Sequence, residues 1–172
     1  GKTTLIKLLT GLYKAESGEI FLNSHTVHED ELLLYRQNFS VIFADFFLFD
    51  QLLGIEEWQI DEQAVHYLKA LQLDHKVRID GNRLSTTNLS HGQRKRLALL
   101  TAYLEDRPVY VFDEWAASQD PEFREVFYRQ LLPELKQRGK LVIVISHDDH
   151  YFDVADRVIK LDFGRIVEDE TS

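Results

Sequence analysis

The chain has 172 residues, which is enough for one domain with a substantial core. Its net charge of −9 argues against nucleic-acid partners, because binding them requires a basic surface. It has no cysteine for disulfides, and no apolar run approaches the roughly 20 residues needed to span a bilayer.

The first residues combine an apolar helix, predicted over residues 2–10, with a phosphate-binding pattern. Gly1, Lys2, Thr3 and Thr4 match the end of G-x-x-x-x-G-K-[ST], although this tetrapeptide alone is a weak signal. Lys2 can reach the β- and γ-phosphates, the Thr3 hydroxyl can bind Mg²⁺, and Thr4 can add a phosphate contact. The chain has no methionine and begins inside this loop, so we expect a fragment. N-terminal strands and the first part of the loop would precede it.

Two short strands and a helix are predicted next. Residues 19–23 and 39–43 are typical of strands, and residues 29–36 are typical of a short helix. An aromatic-rich run follows the second strand. Most of its phenylalanines are expected in the core, but Phe46 and Phe47 are also candidates for an apolar contact surface.

Residues 51–88 are interpreted as a small, mainly helical insertion between strands of the sheet. Asp61 is a predicted N-cap, and one helix face is expected to carry four apolar side chains: Ala64, Val65, Leu68 and Leu71. A turn between short extended pieces is predicted over residues 77–83.

A second helix in this region is predicted to begin after Ser90, which suits an N-cap. Four side chains at helical spacing are expected in its core face: Leu97, Leu100, Thr101 and Leu104. The basic run at residues 94–96 is interpreted as a solvated face of this helix, which is the usual position for such runs.

Residues 109–112 form a continuous apolar run, as expected of a central parallel strand that is covered on both faces. Asp113 and Glu114 follow it. Two acids there are costly unless a cation or a reacting group uses them, and the alternative is an ordinary polar turn.

The remaining chain continues the alternation of helices and strands. Asp120, followed by proline, predicts a helix start, and Pro133 is expected to bend or weaken that helix. Residues 141–145 predict the clearest buried strand of the chain, and His147 follows it, either as a site residue or as a hydrogen-bonded turn residue. Residues 157–167 predict an antiparallel hairpin. The alternation as a whole predicts an α/β fold with a parallel sheet.

The polar residues after the predicted strands converge on one place. In open parallel sheets, ligands bind beyond the carboxyl ends of the strands, where residues 1–4, Asp45, Asp113, Glu114 and His147 all fall. These groups suit nucleoside triphosphate hydrolysis. Asp113 would hold Mg²⁺, and Glu114 would orient or deprotonate the attacking water.

Residues 89–93 resemble the signature motif of ABC-type ATPases, and they end 20 residues before Asp113, as that family's spacing requires. Residues 109–114 resemble the Walker B strand with its catalytic glutamate, residues 118–120 the D-loop, and His147 the switch histidine. The resemblance implies a P-loop NTPase of the α/β class with a mainly parallel RecA-like sheet. It also implies a small helical subdomain, which we place at residues 51–88 together with residues 89–106.

The resemblance further implies a site that two chains share. In this family two domains dimerise head to tail around ATP. Ser90, Gly92 and Gln93 would contact the nucleotide that Lys2 of the partner subunit holds, and Asp120 would couple the two sites.

Two departures from the family pattern stand out. Ala44 occupies the expected glutamine position, so Asp45 is a candidate to take over its contact with the metal. Trp115 replaces the commoner proline after the catalytic glutamate. Several runs, including Phe-Asp-Glu-Trp-Ala-Ala, resemble the branch that exports cyclic peptides and siderophores, with pyoverdine-, syringomycin- and microcin-type members.

The resemblance implies the ATPase domain of a bacterial half-transporter that exports a peptide or a siderophore precursor. A membrane domain of about six helices would precede it in the same polypeptide, and the ATPase would lie on the cytoplasmic face of the inner membrane. One alternative is a separate ATPase subunit of another importer or exporter. A soluble ABC protein of translation or DNA repair is a third possibility, which the acidic charge disfavours.

Overall fold

Helices and strands alternate along the chain in the computed structural model. The structure describes the backbone of residues 1–55 and 57–171 and the side chains of residues 1–55 and 63–171. The α-helices are Lys2–Leu9 (α1), Leu32–Arg36 (α2), Glu57–Ala70 (α3), His91–Glu105 (α4), Pro121–Val126 (α5) and Leu132–Gln137 (α6). The strands are Phe21–Leu22 (β1), His25–Thr26 (β2), Phe39–Ile42 (β3), Ile79–Asp80 (β4), Arg83–Leu84 (β5), Val109–Asp113 (β6), Leu141–Ile145 (β7), Arg157–Asp162 (β8) and Arg165–Thr171 (β9). A π-helical turn, Phe127–Leu131, joins α5 to α6, and 3₁₀ turns span Glu29–Glu31, Ala116–Ser118 and Asp149–Val154.

The central sheet confirms the predicted α/β class. Its strands run parallel in the order β3-β6-β7. Val109 of β6 pairs with Phe39 on one side and with Leu141 on the other. The carboxyl ends of all three strands therefore lie along one edge of the sheet, where the candidate site residues follow them.

Strand β6 is covered on both faces, as its continuous apolar run predicts. Val109 and Val111 pack with Ile6 of α1 on one face, whereas Tyr110 and Phe112 belong to the main core on the other. Each of these side chains is at least nine-tenths buried. Full burial of a large apolar side chain contributes about 1.5–3 kcal/mol, so β6 is a rigid base for the acids at its end.

The region between β3 and β6 packs α3 against α4. Tyr67 and Tyr103 stack across the two helices with ring centroids 4.7 Å apart. The antiparallel pair β4–β5 confirms the predicted turn. Two details of α3 were predicted wrongly. The helix begins at Glu57, so Asp61 lies within it and is not its N-cap, and Val65 is 66% exposed because α4 covers the opposite face.

One of three further predictions from the sequence needs correction, and the other two are confirmed in more detail. Strand β7 is less buried than predicted, because it pairs only with β6 among the described residues and Leu141 is exposed. The predicted weakening of the helix at Pro133 is confirmed, because Pro133 cannot donate an N–H and a π-helical turn interrupts the α-helix just before α6. The strand predicted at residues 19–23 is present but shorter, Phe21–Leu22, and it forms the first half of a small hairpin, β1–β2.

The last two strands confirm the predicted hairpin and extend it. Strands β8 and β9 pair antiparallel from Arg157 to Thr171, around a turn that contains Phe163 and Gly164 at positive φ. Among the described residues, no helix is both long enough and apolar enough to cross a membrane.

Candidate functional site

The amino end of α1 contacts the carboxyl ends of β6 and β7. Gly1 caps the helix, and the Thr3 hydroxyl donates a hydrogen bond of 2.8 Å to Asp113 Oδ2. Lys2 Nζ lies 2.7 Å from His147 Nε2. We call this group the phosphate-side cluster, and it consists of Lys2, Thr3, Asp113, Glu114 and His147.

Asp113 has an unused acceptor inside this cluster. The residue is 1% exposed, and its Oδ1 has no hydrogen-bond partner among the described residues. A buried carboxylate oxygen left unpaired is costly. A hard cation beside Asp113 and the Thr3 hydroxyl would compensate this cost, and oxygen ligands of this kind suit Mg²⁺. The residues present therefore fit a magnesium ion.

Glu114 combines a constrained main chain with an accessible carboxylate. Its φ of +50° lies in the left-handed region, which costs a non-glycine residue about 1–3 kcal/mol. Its N–H donates to the Ile145 carbonyl at 3.0 Å, which continues the pairing of β6 with β7. The side chain is 44% exposed, and Oε1 lies 3.7 Å from His147 Nε2. The carboxylate is thus free to meet a substrate.

A polar network holds the turn that carries His147. The Ser146 hydroxyl lies 2.7 Å from the Tyr128 hydroxyl and accepts the Asp148 N–H at 2.9 Å. Arg124 pairs with the Asp148 carboxylate at 3.6 Å. Burial raises the pKa of Tyr128 to about 12, so its hydroxyl stays protonated as a donor. The network fixes the turn and leaves the His147 ring exposed.

The side chains of Asp45 and Thr4 take no part in the hydrogen bonds described above. Asp45 follows β3, on the same edge of the sheet as Asp113, and its side chain is exposed. Thr4 is exposed in the first turn of α1. Neither side chain forms a hydrogen bond within the described residues, so their proposed roles remain predictions.

The signature residues lie at the amino end of α4. Ser90 is the N-cap, as predicted, and its Oγ accepts the Gln93 N–H at 3.3 Å, while Gln93 Oε1 accepts the Ser90 N–H at 3.3 Å. Gly92 packs against the D-loop. A Cβ at this position would come within 2.9 Å of the Ser118 carbonyl oxygen, so only glycine fits without a shift.

Arg96 connects α4 to the D-loop. Its guanidinium donates to Gln119 Oε1 at 2.9 Å and to Asp120 Oδ2 at 2.5 Å, and it lies 3.6 Å from the centroid of the Phe123 ring. Asp120 is also the N-cap of α5, as predicted, and accepts the Phe123 N–H at 2.9 Å. The Gln119 amide donates to the Gly92 carbonyl at 3.2 Å.

The basic run at residues 94–96 is therefore not a solvated face, and that prediction was wrong. Lys95 and Arg96 are only 3% and 8% exposed. The main-chain carbonyl that follows β6 accepts a hydrogen bond from Lys95, and the D-loop carboxylate accepts one from Arg96. Trp115 is also fully buried, and its Nε1 donates to the Lys95 carbonyl at 3.1 Å. We call Lys95, Arg96, Trp115 and Gln119 the helix clamp.

The sequence contains a signal that could have revealed the clamp. Arg96 lies four residues before Leu100, and Lys95 lies four residues before Leu99. Both leucines are fully buried. Residues four apart share one face of a helix, so the core stripe of α4 extends back into the basic run.

Comparisons with known proteins agree with this geometry. The family model described as ABC transporter matches residues 1–117. The chain is 52% identical over 172 residues to the ATP-binding protein SyrD of Pseudomonas syringae pv. syringae, covering 98% of this chain and 30% of SyrD. It is 31% identical to the ATP-dependent lipid A-core flippase of Xylella fastidiosa, covering 99% of this chain and 31% of that protein.

The chain is also similar to an energy-coupling factor protein and to a solved structure. The energy-coupling factor transporter ATP-binding protein EcfA1 of Oenococcus oeni is 30% identical, over 98% of this chain and 64% of that protein. A solved structure of cbiO1 from Clostridium perfringens, part of the ABC transporter complex cbiONQ, matches with a TM-score of 0.78 at 22% identity, covering 99% of this chain and 72% of that one. The latter likeness shows a shared fold.

The chain spans about 30% of the length of SyrD and of the flippase, and less than two thirds of EcfA1. The match of the family model covers residues 1–117, which is more than half of the chain and runs from α1 through α4 and β6. This protein belongs to the ABC transporter family.

Proposed function

We propose that this chain is the ATP-hydrolysing domain of an ABC half-transporter that exports a peptide or a siderophore precursor across the bacterial inner membrane. The observation that carries the proposal is the identity of 52% to SyrD over nearly the whole chain, against 30–31% for the flippase and EcfA1. The phosphate-side cluster supports the chemistry.

In the proposed site, Lys2 binds the β- and γ-phosphates of ATP, and Gly1 and Thr4 add contacts from the amino end of α1. The Thr3 hydroxyl and Asp113 would hold Mg²⁺, and Asp45 is a further candidate ligand. A bound Mg²⁺ would neutralise phosphate charge. Asp113 Oδ1, for which the described residues provide no hydrogen-bond partner, supports this assignment.

Glu114 is the proposed general base. It accepts a proton from the water that attacks the γ-phosphorus, an oxygen–phosphorus bond forms, and the bond to the oxygen that bridges the β- and γ-phosphates breaks, so that ADP and phosphate leave. His147 is proposed to contact the γ-phosphate. Its position between Lys2 and Glu114, 2.7 Å and 3.7 Å away, supports this role.

The proposed site is completed by a second copy of the chain, arranged head to tail. Ser90, Gly92 and Gln93 would then contact the nucleotide held by Lys2 of the partner subunit. Asp120 would couple the two sites. Its bond to Arg96, which lies on the signature helix, supports a coupling role.

The proposed membrane partner belongs to the same polypeptide. An exposed aromatic patch after β3 supports a contact with it, because Phe47 is 75% exposed and Phe49 and Leu53 are each 56% exposed. The Phe47 and Phe49 rings meet edge to face, 4.9 Å apart, beside a cavity of about 310 Å³. Large exposed apolar side chains that cluster are typical of interfaces. Residues 51–88 and 89–106 would form the helical subdomain beside this patch.

A second candidate is a separate ATPase subunit of another transporter. The match to EcfA1, of which this chain covers 64%, favours it. A soluble ABC protein remains a weaker third candidate, because the net charge of −9 disfavours nucleic acid.

The half-transporter proposal is tested with the full-length gene product in sealed inverted membrane vesicles. We expect ATP-dependent uptake of a candidate peptide or siderophore precursor, and loss of uptake in Glu114→Gln. A full-length product without any membrane-spanning segment would refute the half-transporter and favour the separate subunit.

A further inference from the structure

Lys95 is a buried cation whose hydrogen bonds go to main-chain carbonyls. The residue is 3% exposed, and its ammonium group donates to the Glu114 carbonyl at 3.1 Å and to the Trp115 carbonyl at 3.5 Å. Burial lowers the pKa of Lys95, and the charges of Glu114 and Asp113 oppose this shift. Burying a cation is costly, and an apolar side chain of similar volume in its place is often no less stable. Stability alone therefore does not explain a lysine here.

The shorter of these two hydrogen bonds is accepted by the main-chain carbonyl of Glu114. The proposed ATP hydrolysis depends on the carboxylate of the same residue. Glu114 has a left-handed backbone, which persists in a non-glycine residue only when its surroundings hold it. Its N–H is held by the Ile145 carbonyl, and its carbonyl is held by Lys95. Both main-chain polar groups of Glu114 are thus fixed, one by the sheet and one by α4.

Trp115 forms a hydrogen bond between the same two segments, with the donor now in the loop after β6 and the acceptor in α4. Its indole N–H donates to the Lys95 carbonyl, while its ring stacks on Phe127 with centroids 4.3 Å apart. The main chain after β6 and the first turns of α4 therefore exchange hydrogen bonds reciprocally. These hydrogen bonds couple the position of Glu114 to that of α4.

We propose that Lys95 is a positioning residue for hydrolysis, because it fixes the main chain of Glu114 so that the carboxylate faces the attacking water. The inference rests on the proposed function, in which Glu114 is the general base. Lys95 lies in the helix that Ser90 caps, so the same bond ties the base of one site to the signature residues that face the other site.

The test compares Lys95→Met with wild type in the full-length protein. Methionine keeps most of the side-chain volume and loses the donor. We expect kcat for ATP hydrolysis to fall about 10–100-fold, as for a small misplacement of a reacting group, and the KM for ATP to change less than about twofold. Lys95→Arg, which keeps a charged donor, should retain more of kcat. Lys160→Met makes the same chemical change at an exposed pair with Glu168 and should leave kcat unchanged.

A double-variant comparison separates positioning from a general effect on folding. In a Glu114→Gln background, single-turnover hydrolysis under enzyme excess should fall less than about twofold when Lys95→Met is added, because the group being positioned is already gone. Equal loss in both backgrounds, or an altered unfolding temperature with unchanged kcat, would overturn the inference.

Trp115→Phe provides a second route if Lys95→Met does not fold. It keeps a buried aromatic ring but removes the indole N–H together with part of the ring volume, so its unfolding temperature is measured beside kcat. Trp115→Phe should lower kcat in the same Glu114-dependent way, and an unchanged kcat would contradict the proposal. If the wild type hydrolyses no ATP, the proposed function itself fails. If Glu114→Gln abolishes turnover but Lys95→Met and Trp115→Phe do not lower it, only the positioning role is wrong.

Discussion

The phosphate-side cluster and the helix clamp are joined through adjacent residues of one loop, but they are built in opposite ways. In the cluster, Glu114 and His147 have side chains that are 44% and 75% exposed, and one Asp113 oxygen has no hydrogen-bond partner in the described part of the chain. In the clamp, all four residues are at least nine-tenths buried, and each forms a hydrogen bond within the chain.

Polar residues in this part of the chain therefore have two different roles. Unused or exposed polar groups are available to a ligand, whereas buried and paired groups fix the loops that present them. Asp113 and Glu114 therefore act on a substrate in our proposal, while the adjacent Trp115 acts on the protein. Trp115, which departs from the family pattern, fills the core between α4 and α5 and contacts Phe123 and Phe127.

The largest effect is expected at the cluster. Glu114→Gln should lower steady ATP turnover of the full-length protein by about 10²–10⁴-fold, because a general base contributes about that much. ATP binding should be retained and a nucleotide-bound dimer should accumulate, as measured by turnover and by nucleotide retention on size exclusion. Undiminished hydrolysis would refute the base role.

Within the clamp, Arg96→Met should destabilise the ATPase domain by about 2 kcal/mol. Its bonds to Gln119 and Asp120 are charge-assisted, but Asp120 is 56% exposed and stays partly hydrated when the partner is lost. A lower midpoint of thermal unfolding in detergent checks this expectation, with Arg96→Lys as the matched control. A midpoint equal to that of wild type would show that the clamp contributes no stability.

A smaller loss is expected from Gly92→Ala, about 1–2 kcal/mol, because the added methyl group meets the Ser118 carbonyl oxygen at 2.9 Å. His91→Ala, an exposed change one residue earlier in α4, is the control. The same unfolding measurement applies. If both variants unfold together with wild type, the D-loop is not packed against Gly92 as described.

The smallest effect concerns pH. The Phe123 N–H, helped by the Arg96 charge, holds the pKa of Asp120 below its ordinary value of 3.8. This carboxylate therefore stabilises the fold above about pH 4, and the contribution is lost as pH falls through the lowered pKa. Asp120→Asn keeps the cap without titrating, so its stability deficit should shrink between about pH 6 and pH 3 in chemical unfolding. A deficit that is constant over this range would contradict the lowered pKa of Asp120.

Much of the fold was predictable because its signals are local. The continuous apolar run of β6, the cap residues Ser90 and Asp120, and the turn of the last hairpin each depend on a few neighbouring residues, and all were predicted correctly. The grouping of site residues at one edge follows from the parallel strand order, which a helix–strand alternation implies.

The wrong predictions concern residues whose burial or position depends on partners that lie far away in the sequence. Lys95 and Arg96 are buried because acceptors 19 to 24 residues later in the chain pair with them, and a charge run alone does not reveal these partners. Val65 is exposed because α4 covers another face of α3. The N-cap of α3 was misplaced because Asp61 satisfies the local preference for a cap, while the helix extends back to Glu57.

The most direct test mixes two variants of the full-length half-transporter, Lys2→Ala and Ser90→Ala. If each ATP site joins Lys2 of one chain to Ser90 of the other, the heterodimer of the two single variants places both defects in one site and leaves the second site intact. We predict that it hydrolyses more ATP than either homodimer, and more than a heterodimer of wild type with the double variant. The reverse order would contradict the shared site, because it would place Lys2 and Ser90 of one chain on the same nucleotide.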